Sequence, residues 1–233
     1  MGTSKITLNI LYFLTVFFVI ILIFLGNRGV TVFSENIGVS GKNCIVIDPG
    51  HGGEDGGASS CTGRVESAYN LEIALRLNDL CHFLGIQTRM IRTTDRSVYT
   101  KGETIAQKKV SDLKERVRIC NETPNAILIS IHQNIFADSR YSGAQVFYAK
   151  TEGSSELARQ LQENLKHALQ PTSNRQMKKA NGIYLMEHIS CTGVLIECGF
   201  LSNPGEEAKL RDENYQKMLC CVIGATAANF LDG

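Results

Sequence analysis

Hydrophobic positions along the chain come in two kinds of run. The first is long and unbroken. Residues 6–25, ITLNILYFLTVFFVIILIFL, hold no charge and only four polar residues, Thr7, Asn9, Tyr12 and Thr15. Twenty such residues in a helix span about 30 Å, the thickness of a bilayer's hydrocarbon core. The run is longer than a usual signal-peptide core and no A-x-A site follows it, so it predicts an uncleaved N-terminal transmembrane helix over 1–25 rather than a cleaved signal. Lys5 before it and Arg28 after it leave the orientation open. Residues 26–42 carry Gly, Asn and Ser without periodicity and predict a tether.

The second kind of run is short and alternates with amphipathic stretches. CIVID (44–48), AILISI (126–131), AQVFYA (144–149) and GVLIEC (193–198) are apolar and rich in β-branched residues, and predict buried strands. IQTRMIR (86–92) alternates enough for another strand. Between them, residues 66–84 predict a helix with Leu71, Leu75, Asn78 and Cys81 on one side, ended by Gly85. Asp112, with Glu115 three residues on, predicts a helix start, with Leu113, Val117 and Cys120 as its buried stripe. Leu157, Leu161 and Leu165 mark a further helix, and Tyr215, Met218, Leu219, Val222 and Ile223 a closing one. Strands apolar throughout, alternating with helices, imply a sheet covered on both faces. The predicted fold is α/β: one domain over 43–233 with a twisted, mostly parallel, mixed sheet flanked by helices on both faces. No internal repeat interrupts it.

Composition changes this picture little. A chain of 233 residues can bury a real core. A net charge of +1 argues against a dedicated nucleic-acid binder. Eight cysteines in an exported chain invite a disulfide framework, yet Cys44, Cys198 and Cys220 fall in apolar runs, where free Cys acts as a small hydrophobe. No C-x-x-C pair offers a thiolate metal site.

The chemistry gathers where strands end. CIVID runs into PGHGG and delivers His51; AILISI delivers His132 and Asn134; GVLI delivers Glu197. Ligand sites in α/β sheets lie beyond the carboxyl ends of the strands, so these residues are predicted to share one rim. Glu66, at the start of the first helix, can fold back to it. His51, Glu66 and His132 make a His₂Glu set, the donor chemistry of a catalytic zinc site with a fourth position open. Glu197 is then the spare carboxylate that moves protons, its pKa raised toward neutrality by an apolar strand. Each residue also has a plainer reading. A histidine at a strand end is often a satisfied polar group, and a glutamate at a helix start favours the dipole. A carboxylate inside an apolar run is harder to dismiss, since it is costly unless paired, protonated or near a metal. Cys198 has no histidine tied to it by any local signature and makes a poor nucleophile. His188 lies close to the last strand in sequence and is a candidate substrate contact, as is Asn134.

These residues sit in stretches that resemble the zinc N-acetylmuramoyl-L-alanine amidases of the type-3 family: VIDPGHGGEDGGA (46–58), ESAYNLEIALRL (66–77), SIHQN (130–134) and VLIECGFLSNPGEE (194–207), in the family's order. The resemblance implies zinc (Zn2+) on His51, Glu66 and His132, Glu197 as the catalytic residue, and peptidoglycan glycan strands with stem peptides as substrate. VSDLKERV (110–117) and SRYSGAQVFY (139–148), with the short chain and N-terminal anchor, resemble more narrowly the germination-type spore-cortex amidases. That implies a catalytic domain outside the cytoplasm in the space around a developing spore. It also implies a partner deacetylase acting downstream to form muramic-δ-lactam, and leaves room for an activating lipoprotein. Gln133, Ile135, Thr192 and Cys198 depart from the family's usual residues without removing a proposed ligand or the base. Two other readings stay open: an exported zinc peptidase cutting within the stem peptide, although H-E-x-x-H is absent, and a non-catalytic peptidoglycan-binding scaffold.

Overall fold

The computed structural model describes residues 43–232, so the predicted anchor over 1–25 and tether over 26–42 lie outside the described residues. Among the described residues no helix is long and apolar enough to cross a membrane. Six strands run in the order β1 (Cys44–Pro49), β2 (Thr88–Met90), β3 (Ala126–Asn134), β4 (Gln145–Tyr148), β5 (Lys178–Lys179) and β6 (Thr192–Phe200). Six helices intervene or follow: α1 (Glu66–Phe83), α2 (Ile105–Glu122), α3 (Ser154–Leu169), α4 (Tyr184–His188), α5 (Pro204–Arg211) and α6 (Glu213–Asp232). They build one sheet in the spatial order β2-β1-β3-β6-β4-β5. The β2, β1, β3 and β6 strands are mutually parallel, β4 is antiparallel to β6, and β5 is parallel to β4. The mixed, mostly parallel α/β sheet read from the sequence is therefore the one observed.

The apolar strands hide a period of two. Ile45 and Ile47, Ile127, Ile129 and Ile131, and Val194 and Ile196 face a core shared with Tyr69, Ile73 and Leu77 of α1, Leu157, Leu161 and Leu165 of α3, and Leu219 and Ile223 of α6. Val46, Leu128 and Leu195 face a smaller core with Ile119 and Cys120 of α2 and Leu185, Met186 and Ile189 around α4. Neither face meets water, which is why alternation is absent from the sequence.

Two helices differ from expectation. The buried positions of α1 are Glu66, Ser67, Tyr69, Asn70, Ile73, Ala74, Leu77 and Cys81, while Leu71, Leu75 and Asn78 are only partly covered. The helix turns its polar Glu66 and Asn70 inward toward the rim, so its apolar periodicity is a poor guide to its buried face. Likewise α2 starts at Thr104, not Asp112. Thr104 and Gln107 form a reciprocal capping box, which satisfies two of the helix's orphan amides. Asp112 instead lies inside the helix, accepting from Val98 N at 2.6 Å and Arg116 Nε at 2.6 Å.

The smaller face carries a buried charge network at the end of β1. Asp48, 1 % exposed, accepts from Arg116 and, at 2.7 Å, from Ser130 Oγ. Burial pushes the Asp48 carboxyl upward, but the Arg116 guanidinium and the Ser130 hydroxyl outweigh it and leave it below the ordinary carboxylate range. Removing one partner of such a pair strands the other. Arg116→Met is expected to destabilise the domain by about 3–5 kcal/mol in urea unfolding; a loss below about 1 kcal/mol would mean that Asp48 is solvated or protonated in the fold.

Candidate metal centre and its rim

Immediately after β1 the chain leaves regular geometry. His51 adopts φ 59°, and Gly52 and Gly53 follow at φ 133° and 60°. Left-handed backbone at a non-glycine residue costs of order 1–3 kcal/mol and persists only where neighbours enforce it. Here they are two buried arginines. Arg92 donates to the carbonyls of Pro49 (2.9 Å), Gly50 (2.9 Å) and, across on α1, Ser67 (2.9 Å). Arg116 donates to the carbonyls of Pro49 (3.0 Å) and His51 (2.8 Å). Three successive carbonyls turned away from the sheet thus find partners.

The loop so held points His51 at Glu66. His51 Nε2 lies 3.3 Å from Glu66 Oε2, and His132 Nδ1 lies 3.0 Å from Glu66 Oε1. The two imidazole rings meet edge-on with centroids 4.9 Å apart. Close packing needs glycine nearby: a Cβ on Gly57, which has φ 68°, would stand 2.6 Å from Glu66 Oε2 and 2.7 Å from His51 Cδ2. Glu66 is further fixed by the amides of Ala58 (3.1 Å) and Gln133 (3.1 Å) and by Asn70 Nδ2 (3.3 Å). Burial would raise the Glu66 carboxyl, yet the bonds from His132 and His51 drive it far below its ordinary value. For His51, burial lowers the imidazole, while Glu66 and Asp55 outweigh it and hold it above its ordinary value.

One ligand atom from each of His51, Glu66 and His132 lies within 4.8 Å of the others. A tetrahedral site with bonds of about 2.0–2.1 Å would separate its ligand atoms by roughly 3.3 Å. The 3.3 and 3.0 Å spacings run to different oxygens of Glu66, so one carboxylate lies between both imidazoles at about that range, and the donor chemistry of two imidazoles and a carboxylate suits a metal ion. Asp55 Oδ2 sits 3.0 Å from the far nitrogen of His51, Nδ1, the outer contact that fixes a metal-facing tautomer.

Glu197 completes the rim. It pairs in register with His132 across β3 and β6. Its Oε2 is buried without a hydrogen-bond partner. Burial pushes this carboxyl up to about 7, and Glu66 adds to the rise, while His132 and His51 oppose it.

The profile of the N-acetylmuramoyl-L-alanine amidase family matches residues 45–226, which takes in all four of these residues. The chain belongs to the N-acetylmuramoyl-L-alanine amidase family. The germination-specific amidase of Bacillus subtilis is 38% identical over 188 residues, covering 79% of this chain and 78% of that one. The solved CwlD amidase of Clostridioides difficile, in complex with the GerS lipoprotein, superposes with TM-score 0.78 at 37% identity, covering 82% of this chain and 99% of that one. A second amidase from Clostridium difficile 630 gives TM-score 0.72 at 32% identity, over 83% of this chain and 99% of that one. Peptidoglycan amidase activity is the activity of this family.

Within this amidase the predicted residues divide. His51, Glu66, His132 and Glu197 share the rim. Asn134 closes β3 two residues beyond His132, half-buried, its carbonyl accepting from Leu201 N at 2.8 Å. His188 does not join them. It ends α4, stacks on Tyr184 with centroids 3.9 Å apart, and its carbonyl accepts from Asn121 near the start of β3, the opposite end of the sheet. Nearness to β6 in sequence misled because β6 runs its length away from His188 before reaching Glu197. Cys198 is buried and its thiol pushed well above its ordinary value by burial, so it is no nucleophile. All eight cysteines are unpaired. Sequence reasoning passed over Asp55, Arg92 and Arg116. The four-residue step from His51 to Asp55 was a readable signal; the arginines had none, since their partners are backbone atoms.

A carboxyl raised from its ordinary 4.5 to about 7 by folding carries a stability consequence. The unfolded chain releases this proton first, so stability falls as pH rises from about 4.5 to about 7 and stays reduced above. In metal-free protein, Glu197→Gln is expected to raise unfolding free energy at pH 8 by roughly 2–3 kcal/mol and to change it little at pH 4. Equal effects at both pH values would place the Glu197 carboxyl in solvent.

Proposed function

We propose that this chain is a zinc-dependent N-acetylmuramoyl-L-alanine amidase that frees stem peptides from muramic acid, acting on spore cortex as the first step toward muramic-δ-lactam. The observation that carries the reading is the buried, partnerless Oε2 of the half-buried Glu197, in register with one member of a His₂Glu donor set. A binding scaffold has no use for that costly group, which counts against the non-catalytic alternative.

His51, Glu66 and His132 would hold the zinc, with Asp55 orienting His51. When bound, zinc supplies Lewis acidity that polarises the scissile carbonyl. Glu197 takes a proton from the attacking water as its oxygen adds to the carbonyl carbon. The same carboxyl then gives a proton to the alanine nitrogen as the C–N bond breaks, leaving a free lactyl carboxylate and an L-alanine amine. A carboxyl poised near neutrality suits both transfers.

The finer role rests on relatives. The germination-specific amidase supports a spore-cortex substrate, and the CwlD complex with a lipoprotein supports an activating lipoprotein partner for this chain. Membrane anchoring through residues 1–25, a catalytic domain outside the cytoplasm around the developing spore, and a downstream deacetylase belong to the same reading. So do the domain limits of 1–25, 26–42 and 43–233.

Defined muropeptides test the reaction. Release of intact stem peptide with a free L-alanine amine is expected; cuts inside the stem would favour the peptidase. Glu197→Gln is expected to lose at least about 10²–10⁴-fold in turnover while keeping zinc, and His132→Ala to lose the metal itself in elemental analysis. Turnover surviving Glu197→Gln, or wild-type metal content in His132→Ala, would overturn the assignments.

A further inference from the structure

The row that holds the site extends one strand further than the catalytic groups need. His132 on β3, Glu197 on β6 and Gln145 on β4 are register neighbours, so their side chains leave the same face of the sheet. Gln145 is buried, and its Oε1 accepts from Arg175 Nη1 at 2.9 Å. Arg175 is built into place. Its Nε donates to Ser142 O at 2.7 Å, and its guanidinium lies 4.4 Å over the Phe200 ring. Yet among the described residues no carboxylate lies within ion-pair range of it. The acid that influences it, Glu206, is occupied by the amides of Gly143 (2.9 Å) and Phe200 (3.0 Å). Arg175 lines a cleft of about 570 Å³ with Tyr141, Ser142, Ser173 and Asn174, and with Asp138, whose carboxylate is paired with Arg140 at 2.7 Å. That cleft opens beside the start of β4, hence at the rim where β6 carries Glu197.

We propose that Arg175 binds a carboxylate of the stem peptide, which makes this cleft the peptide-side subsite and makes the enzyme selective for stems bearing that carboxylate. This rests on the amidase reading. The residue after L-alanine in a stem peptide is a glutamate linked onward through its γ-carboxyl, so its α-carboxylate is free. That carboxylate lies about two residue lengths, roughly 7 Å, from the scissile amide. The Glu197 and Gln145 side chains stand side by side one strand spacing, about 5 Å, apart, and a 2.9 Å hydrogen bond joins Gln145 to Arg175, so the guanidinium lies about 8 Å to the side of the Glu197 carboxyl, a matching reach. A fixed, planar guanidinium with an unused edge is suited to a carboxylate and gains little from an amide.

The test compares muramoyl-L-alanyl-D-isoglutamate with its isoglutamine analogue, by kcat/KM and by calorimetric Kd, using the zinc-loaded protein. Wild type is expected to favour the acid at least tenfold, mainly through KM, which is the range of one charge-assisted hydrogen bond. Arg175→Gln is expected to bring the ratio close to one by losing activity on the acid alone, and Arg175→Lys to restore part of it. If Arg175→Gln fails to fold, the wild-type ratio and Arg175→Lys decide. Wild-type ratios within twofold, or equal losses on both substrates in Arg175→Gln, would overturn the proposal and leave Arg175 as a brace for the loop at Ser142. If neither compound is hydrolysed but the acid still binds more tightly through Arg175, the amidase reading fails and the subsite stands.

Discussion

Two buried guanidiniums, Arg92 and Arg116, take up the carbonyl oxygens of Pro49, Gly50 and His51, where β1 stops being a strand. Without them the carbonyls of Pro49 and His51 would lose their side-chain donors and Gly50 O would keep only Asn70, each lost bond costing about what a buried unpaired polar group costs. With them the backbone can hold His51 in the left-handed region and aim its ring across the rim at Glu66. Asp48 neutralises Arg116, and Ser130 on the next strand ties Asp48 in turn. The donor set is thus a consequence of charge buried one layer beneath it.

The same layer links the elements that supply the other groups. Arg92 reaches Ser67 on α1, one residue past Glu66. Asn70 bridges Gly50 O and Glu66, and its own oxygen accepts from Gln133, the neighbour of His132. Loop, helix and strand are therefore referenced to one another through hydrogen bonds within the molecule. That is the rigidity a preorganised metal site and a nearby base require. Glu197 is the exception, left without a partner and with its pKa raised, a local instability of the kind expected where a group must move protons.

Much of this was legible in the sequence. The strands were, because β1, β3 and β6 are covered on both faces and so read as unbroken apolar runs. So were His51, His132 and Glu197, because parallel strands deliver their ends to one rim. Glu66 was weaker, since its inward turn depends on contacts that helical periodicity does not encode, and the same contacts misplaced the buried face of α1. The α2 start was missed although Thr104 and Gln107 have the spacing of a capping box, because the apolar residues of the first turns, Ile105 and Val110, face solvent and form no buried stripe. His188 went wrong for lack of direction: sequence distance to β6 does not say which end of β6. The arginines escaped because their partners are carbonyls, present at every residue and therefore silent.

In the proposed zinc site, this buried layer sets three side chains around one ion. Anomalous diffraction from zinc-soaked crystals, recorded on both sides of the zinc absorption edge, measures it directly. The expected result is a single strong peak at about 2.0–2.2 Å from His51 Nε2, a Glu66 carboxylate oxygen and His132 Nδ1. A peak bound elsewhere, or no peak at this rim with the three side chains in place, would contradict the account.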